Sequence, residues 1–276
     1  MDPLPQELID KTIDNLPHSS LRACSLVARR WRRRCQKRAF DSVTFSSERA
    51  LVLWCAKIPQ EPGGITSYVR FARFMDIPSW RQPALFGRVL KNLTSLKTVW
   101  IAYTRIPRPD QLPDSLSFGE FGKTVECLML SSPPSTVATI ASLVLSFPNL
   151  EHFLLTGEVS KGPFAVSPCA SQRRPLVSIA LCGVGDGVGS ALAQRGLTAR
   201  ELSLAVCDAG LEQLLTLSSE VVVELELFGA WSSETLRQNS IDACRRSIPF
   251  PNRSASRHIS TTVPCHYHHK HRTSCW

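Results

Sequence analysis

Apolar positions in the first forty residues fall into three short stripes. Ile9, Ile13 and Leu16 lie at i, i+4 and i+7, which predicts one apolar face of a short helix. Leu4-Pro5 suits its entrance, because proline's fixed φ is tolerated in a first turn, and Asn15 and Pro17 stop it. Ser19 or Ser20 can cap a second helix, whose face is Leu21, Cys24, Val27 and Trp31. A third, basic helix continues through Arg32 and Arg38. Three such helices bury little by themselves, so they read as a docking module that needs a neighbour. Leu8, Ile9, Ile13, Leu21 and Val27 are expected to be exposed, and Trp31 to pack on Leu21, Val27 and Phe40.

After residue 40 the pattern changes to a recurring apolar-x-x-apolar-x-apolar. It reads Phe40-x-x-Val43-x-Phe45, Thr66-x-x-Val69-x-Phe71, Leu96-x-x-Val99-x-Ile101 and Val125-x-x-Leu128-x-Leu130. It goes on as Leu150-x-x-Phe153-x-Leu155, Leu176-x-x-Ile179-x-Leu181, Ala199-x-x-Leu202-x-Leu204 and Val222-x-x-Leu225-x-Leu227. Between these strands, helical stripes appear at 50–58 behind a Ser46-Ser47 cap, at 85–93, 137–147, 190–194 and 211–215. Strand alternating with helix at about 25 residues predicts stacked units that bury one continuous core. Two Pro/Gly/Ser-rich stretches, 107–117 and 158–175, read as loops. Beyond residue 236 the periodicity ends in a polar, basic text expected to be disordered.

Two resemblances follow from these residues. The run Leu4-Pro5, Glu7-Leu8-Ile9, Ile13, Leu16, Leu21, Cys24-Ser25-Leu26-Val27 and Trp31 resembles the F-box, in the wording of the large F-box families of mushroom-forming fungi. The resemblance implies docking on a Skp-type adaptor, and through it on a cullin–RING ubiquitin ligase. The implied contact residues are Leu4, Pro5, Leu8, Ile9, Ile13, Leu16, Leu21, Cys24, Val27 and Trp31. The later pattern resembles a degenerate leucine-rich repeat. That family's Asn or Cys, three residues past the last strand leucine, is matched only by Cys207, with Thr104 as a substitute after Ile101. Pro133, Glu158, Val184 and Ala230 hold the position elsewhere. The fold class expected is therefore α/β. It comprises a three-helix F-box at 1–40, a short irregular leucine-rich-repeat-like solenoid at 41–235, and a disordered tail at 236–276.

Composition sharpens this picture in two places. Hydrophobic content of 43% is a globular value, so a sizeable core is available. The net charge of +9 is local: residues 29–38 carry seven Arg/Lys, residues 236–276 carry +6, and the remainder is at −4. The seven cations of 29–38 spread around their helix, which favours a solvated face over a nucleic-acid stripe. Ten cysteines are scattered without a CxxC pair, and no apolar leader or 18-residue apolar run is present. A reducing cytoplasmic or nuclear compartment fits, with Cys24, Cys127, Cys182 and Cys207 as core-type residues.

Candidate chemistry is sparse. Gly183, Gly185, Gly187 and Gly189 follow a strand, but the third glycine of a dinucleotide fingerprint falls at Val188 or Ser190, so a turn is expected. Cys265, His266, His268, His269, His271 and Cys275 are zinc- or copper-type ligands at no folded-module spacing. Asp110, Asp114 and Asp186 have no visible partner, and the common hydrolase and P-loop signatures are absent. No catalytic residue, cofactor or metal is expected. Outward strand positions Thr44, Arg70, Trp100, Met129, Leu154, Ala180, Ser203 and Glu226 alternate with the core leucines. The apolar trio Trp100, Met129 and Leu154 is the candidate site for an unknown protein substrate. The alternatives are a nucleic-acid-associated protein using 29–38 and the tail, or a truncated, non-functional family member.

Overall fold

In the computed structural model the described residues are 5–58, 64–77, 81–106, 122–157, 159, 175–184, 188–205, 214, 218, 221–228 and 259–260. The opening stripes become three helices, α1 (Gln6–Asn15), α2 (His18–Val27) and α3 (Arg29–Ala39). Pro5 and Pro17 occupy the two N-cap positions, so Ser19 and Ser20 lie inside α2 rather than capping it. The Arg38 guanidinium donates to the carbonyls of Ile13 and of Leu16 (2.9 Å), which closes the free end of α1 with a side chain from α3.

These helices have a core of their own. Ile9, Ile13, Leu21 and Cys35 are buried, with Leu16, Cys24, Trp31 and Ala39 packed against them. The tie to the rest of the chain is made elsewhere. Phe40, at the end of α3, meets Trp54 edge-on at 6.4 Å, and Trp54 meets Phe45 at 5.5 Å. Trp31 packs against the helical core that contains Leu21, while Val27, expected beneath it, is exposed.

The recurring pattern becomes a parallel sheet laid down in strict chain order. Its strands are β1 (Ser42–Phe45), β2 (Phe71–Met75), β3 (Thr98–Ala102), β4 (Cys127–Ser131), β5 (His152–Thr156), β6 (Leu176–Cys182), β7 (Ala199–Ala205), β8 (Glu224–Phe228) and β9 (Ile259–Ser260). In-register apolar residues on one face, such as Val43, Ala72, Val99, Leu128, Phe153, Ile179 and Leu202, form the core. Helices α4 (Glu48–Lys57), α5 (Ala84–Asn92), α6 (Val137–Leu145) and α7 (Val188–Gln194) contribute to the same core. Ser47 caps α4 by accepting from the Ala50 amide, and Thr136 caps α6 by accepting from the Thr139 amide. Glu48 accepts from the amides of Arg81 (3.2 Å) and Gln82 (2.6 Å) and so fixes the entry of α5 against α4.

One strand lies in a different register from the one its sequence suggests. The Thr66-x-x-Val69-x-Phe71 match predicts Arg70 on the outward face. The structure instead pairs Phe71 with Thr98, so the unit is Val69-x-x-Ala72-x-Phe74 and the outward residue is Arg73. Ala72 and Phe74 are fully buried, and alanine at the first core position hid the true frame.

A second regularity lies just past each strand. Asp76, Tyr103, Ser132, Gly157 and Gly183 follow β2 to β6 and all have positive φ, from 42° to 82°. The amides of Asp76, Tyr103, Ser132 and Gly157 then donate to the last carbonyl of the next strand, at 2.6–3.1 Å. Further on, buried hydroxyls take over. Thr104 accepts from the Ile77 amide (3.2 Å) and Ser135 from the Ile106 amide (3.0 Å).

The expected leucine-rich-repeat solenoid is corrected to this parallel sheet in a mixed helix–strand chain with a helical opening. The repeated Asn or Cys ladder is lacking among the described residues, and hydroxyls at two levels satisfy the amides it would serve. The stretch 107–117, the stretch 158–175 apart from Val159 and Pro175, Gly185 to Gly187, Cys207 and the tail apart from 259–260 lie outside the described residues.

Candidate functional site

Burial divides the residues expected to meet an adaptor into two groups. Ile9, Ile13 and Leu21 are buried at 2%, 0% and 1% exposure, so the expectation that they stand free is overturned. They are the interior of the three-helix unit. Leu16, Cys24 and Trp31 are half-buried around them. Pro5, Leu8 and Val27 are exposed, and Leu4 lies outside the described residues. Leu26, which the sequence reading passed over, is exposed at 74%, beside Val27 at 68% and with Leu8 at 52%. Three large aliphatic side chains of this small unit are therefore left in water.

Electrostatics hold these helices without contributing chemistry. The Arg34 guanidinium grips the Asp14 carboxylate through two donors and holds its pKa below the ordinary aspartate value. The Cys35 thiol is pushed up, first by burial and then by Cys24 nearby, so it is a poor nucleophile. The indole N–H of Trp31 is buried without a hydrogen-bond partner.

On the sheet, the outward face carries the second set. Trp100, Met129 and Leu154 pair in register across β3, β4 and β5 and are half-buried. Sequence reasoning missed their neighbour: Arg73 stands beside Trp100 in β2, its guanidinium carbon 3.6 Å from the ring centre. Phe71 meets the same indole edge-on at 6.4 Å, and the Trp100 N–H donates to the Ser131 hydroxyl at 3.0 Å. Desolvation pushes the Arg73 pKa down, and its Nε is buried with no hydrogen-bond partner. Cys127 and Cys182 also stand on this face, half-buried, rather than in the core, with thiols pushed up by burial.

Among the described residues no cluster of His, Cys, Asp or Glu is placed to hold a metal ion, and the ligand-type residues of 265–275 fall outside them. No helix among the described residues is long and apolar enough to cross a membrane. No curated protein matches the chain. Residues 1–42, which hold α1 to α3 with their own core and their exposed aliphatic side chains, match the family model of the F-box domain, so the chain carries an F-box at its opening.

Proposed function

We propose that the chain is a non-catalytic substrate adaptor of a Skp–cullin–F-box ubiquitin ligase in the cytoplasm or nucleus. The F-box would dock on a Skp-type adaptor and through it reach a cullin, while the outward face of the sheet captures a protein substrate. The observation that carries the reading is the F-box match over a three-helix unit that leaves Leu8, Leu26 and Val27 in water. In such a complex the ligase chemistry lies in partner subunits. This chain contributes proximity, by raising the effective concentration of substrate near the transfer machinery.

For substrate, the reading favours Trp100, Met129 and Leu154 together with Arg73, since aromatic, Met and Arg side chains are those most enriched where proteins bind proteins. Co-purification with a Skp-type adaptor tests the docking half. The Leu8→Asp, Val27→Asp variant is expected to lose the adaptor while its thermal unfolding matches the parent. Retention of the adaptor by that variant would falsify the docking face. Met129→Glu with Leu154→Glu tests the substrate half, by loss of partner proteins that the parent retains.

A further inference from the structure

Arg30, Arg33, Arg34 and Lys37 stand at i, i+3, i+4 and i+7 in α3, which places them on one helix face. The seven cations of residues 29–38 were expected to scatter around their helix. Four of them instead line one wall of a cleft of about 1050 Å³ between α3 and the amino-terminal edge of the sheet. Arg70 and Lys97 stand on the opposite wall, with Tyr68 and Ser95 beside them.

The charges in this cleft are not balanced internally. Arg34 is taken up by Asp14, Lys97 by Glu126, and Arg70 reaches Asp41 only at 3.9 Å. Arg30, Arg33 and Lys37 are exposed and have no ion pair among the described residues. Asp10 also lines the cleft and acts on Arg34, so it offsets part of the positive excess. Arg70 and Lys97 are cross-strand neighbours, since the Arg70 carbonyl accepts from the amides of both Lys97 and Thr98.

The shape of the cleft narrows the choice of anion. A second cleft of about 310 Å³ shares Lys97, Thr124 and Glu126 with the first and adds Lys123 and Arg200, with one further acid, Glu151, along the same edge. From Arg70 to Arg200 the register advances five strands, at about 4.8 Å each, so the edge is about 24 Å long. That length suits roughly seven residues of extended chain. A compact anion would fill only one end. Tyr68 is the one aromatic residue lining either cleft, so successive nucleic-acid bases have no stacking platform. Walls on two sides also keep a flat bilayer out.

We propose that this cleft binds an extended, carboxylate-rich segment of a protein partner between α3 and the sheet edge. The site is independent of the outward sheet face and does not require the ligase reading to hold. Guanidinium groups supply paired donors to carboxylates, and an elongated basic groove concentrates an acidic chain before contact.

The test is fluorescence anisotropy of the full chain with a labelled peptide of alternating glutamate and glycine, against the same peptide with glutamine. Binding of the glutamate peptide alone is expected, weakening several-fold between about 0.1 M and about 0.3 M salt. Arg30→Glu, Arg33→Glu, Lys37→Glu is expected to weaken it about tenfold or more with adaptor co-purification unchanged. Arg70→Gln with Lys97→Gln attacks the other wall, so a folding defect in one set leaves the second decisive. Equal affinity for the glutamine peptide, or parental affinity in both variants, overturns the proposal. Loss of the adaptor in the α3 variant, or preferential binding of a single-stranded oligonucleotide, also overturns it.

Discussion

The Arg73 guanidinium sits over Trp100 with its central carbon 3.6 Å from the ring centre, while its Nε has no hydrogen-bond partner. Two opposing terms meet here: a cation–π attraction and the desolvation of a half-buried charge. A double-mutant cycle of Arg73→Met and Trp100→Leu is expected to give a coupling of about 0.5–2 kcal/mol. Arg73→Met alone should change stability little, because the methionine stem keeps the packing and removes the unsatisfied Nε. Urea unfolding reads both. A large loss in Arg73→Met together with zero coupling would mean that the stem, not the charge, holds the indole.

Within the F-box, interior and surface give opposite phenotypes. Ile9→Ala or Ile13→Ala removes a buried side chain and is expected to cost about 2–5 kcal/mol, enough to melt a unit whose core has four fully buried residues. Leu26→Asp should leave the unfolding midpoint unchanged and reduce adaptor binding. Melting of Leu26→Asp alongside Ile13→Ala would show that Leu26 packs in solution.

These contrasts mark where the sequence was readable. Apolar spacing placed the helices up to Gln194 and seven of the eight outward strand positions, because periodicity follows directly from backbone geometry, while the stripe at 211–215 lies outside the described residues apart from Leu214. It failed at Arg70, where two overlapping matches competed and alanine at Ala72 looked like a spacer. It also failed to say which way each stripe faces. Ile9 and Leu8 are equally apolar, yet only the closing of α3 over α1 decides that one is buried and the other free. The basic face of α3 stayed hidden for a related reason. Counting seven cations around a helix ignores that Arg38 turns inward to the α1 carbonyls, which leaves the 30, 33, 34, 37 stripe to the cleft.

The Asp14–Arg34 contact predicts an acid response with a definite sign. Asp14 has its folded pKa lowered below 3.8, chiefly by the Arg34 hydrogen bond. A carboxyl depressed on folding stabilises the fold above its unfolded value and loses that contribution as pH falls through the folded one. Helical signal from the F-box should therefore hold down to about pH 4 and weaken below it. Asp14→Asn should remove this part of the acid response and leave the profile near neutrality flat. An unchanged acid profile in Asp14→Asn would assign the response to other carboxylates.

The left-handed turns after the strands predict a pair of opposite substitutions. Tyr103 and Gly157 occupy the same place two units apart, with Ser132 between them, at φ 50° and 82°. A side chain pays about 1–2 kcal/mol in that conformation, so Tyr103→Gly is expected to be neutral or slightly stabilising. Gly157→Ala should destabilise, because the added Cβ would collide with the Ser132 hydroxyl oxygen as well as straining the backbone. Thermal unfolding of the two variants should move in opposite directions or leave Tyr103→Gly unmoved. A drop in both would mean that the Tyr103 side chain, exposed at 58%, contributes a contact worth more than its strain.

Thr104 carries the last prediction. Its buried hydroxyl donates to the Ala102 carbonyl at 2.9 Å and accepts from the Ile77 amide at 3.2 Å, so one side chain bridges two neighbouring units. Thr104→Val keeps the volume and leaves the Ile77 amide buried without its acceptor. The expected loss is about 1–3 kcal/mol, the desolvation penalty of an orphaned donor. Thr104→Ser retains the hydroxyl and should recover most of that loss, less the methyl group's packing of about 1 kcal/mol. Ser135→Ala, which orphans the Ile106 amide in the next unit, should behave like Thr104→Val. Amide hydrogen exchange gives the sharper reading. Faster exchange confined to Ile77 in the first variant and to Ile106 in the second is expected. Uniform acceleration across the sheet would mean that the hydroxyls act through global stability and not as local acceptors.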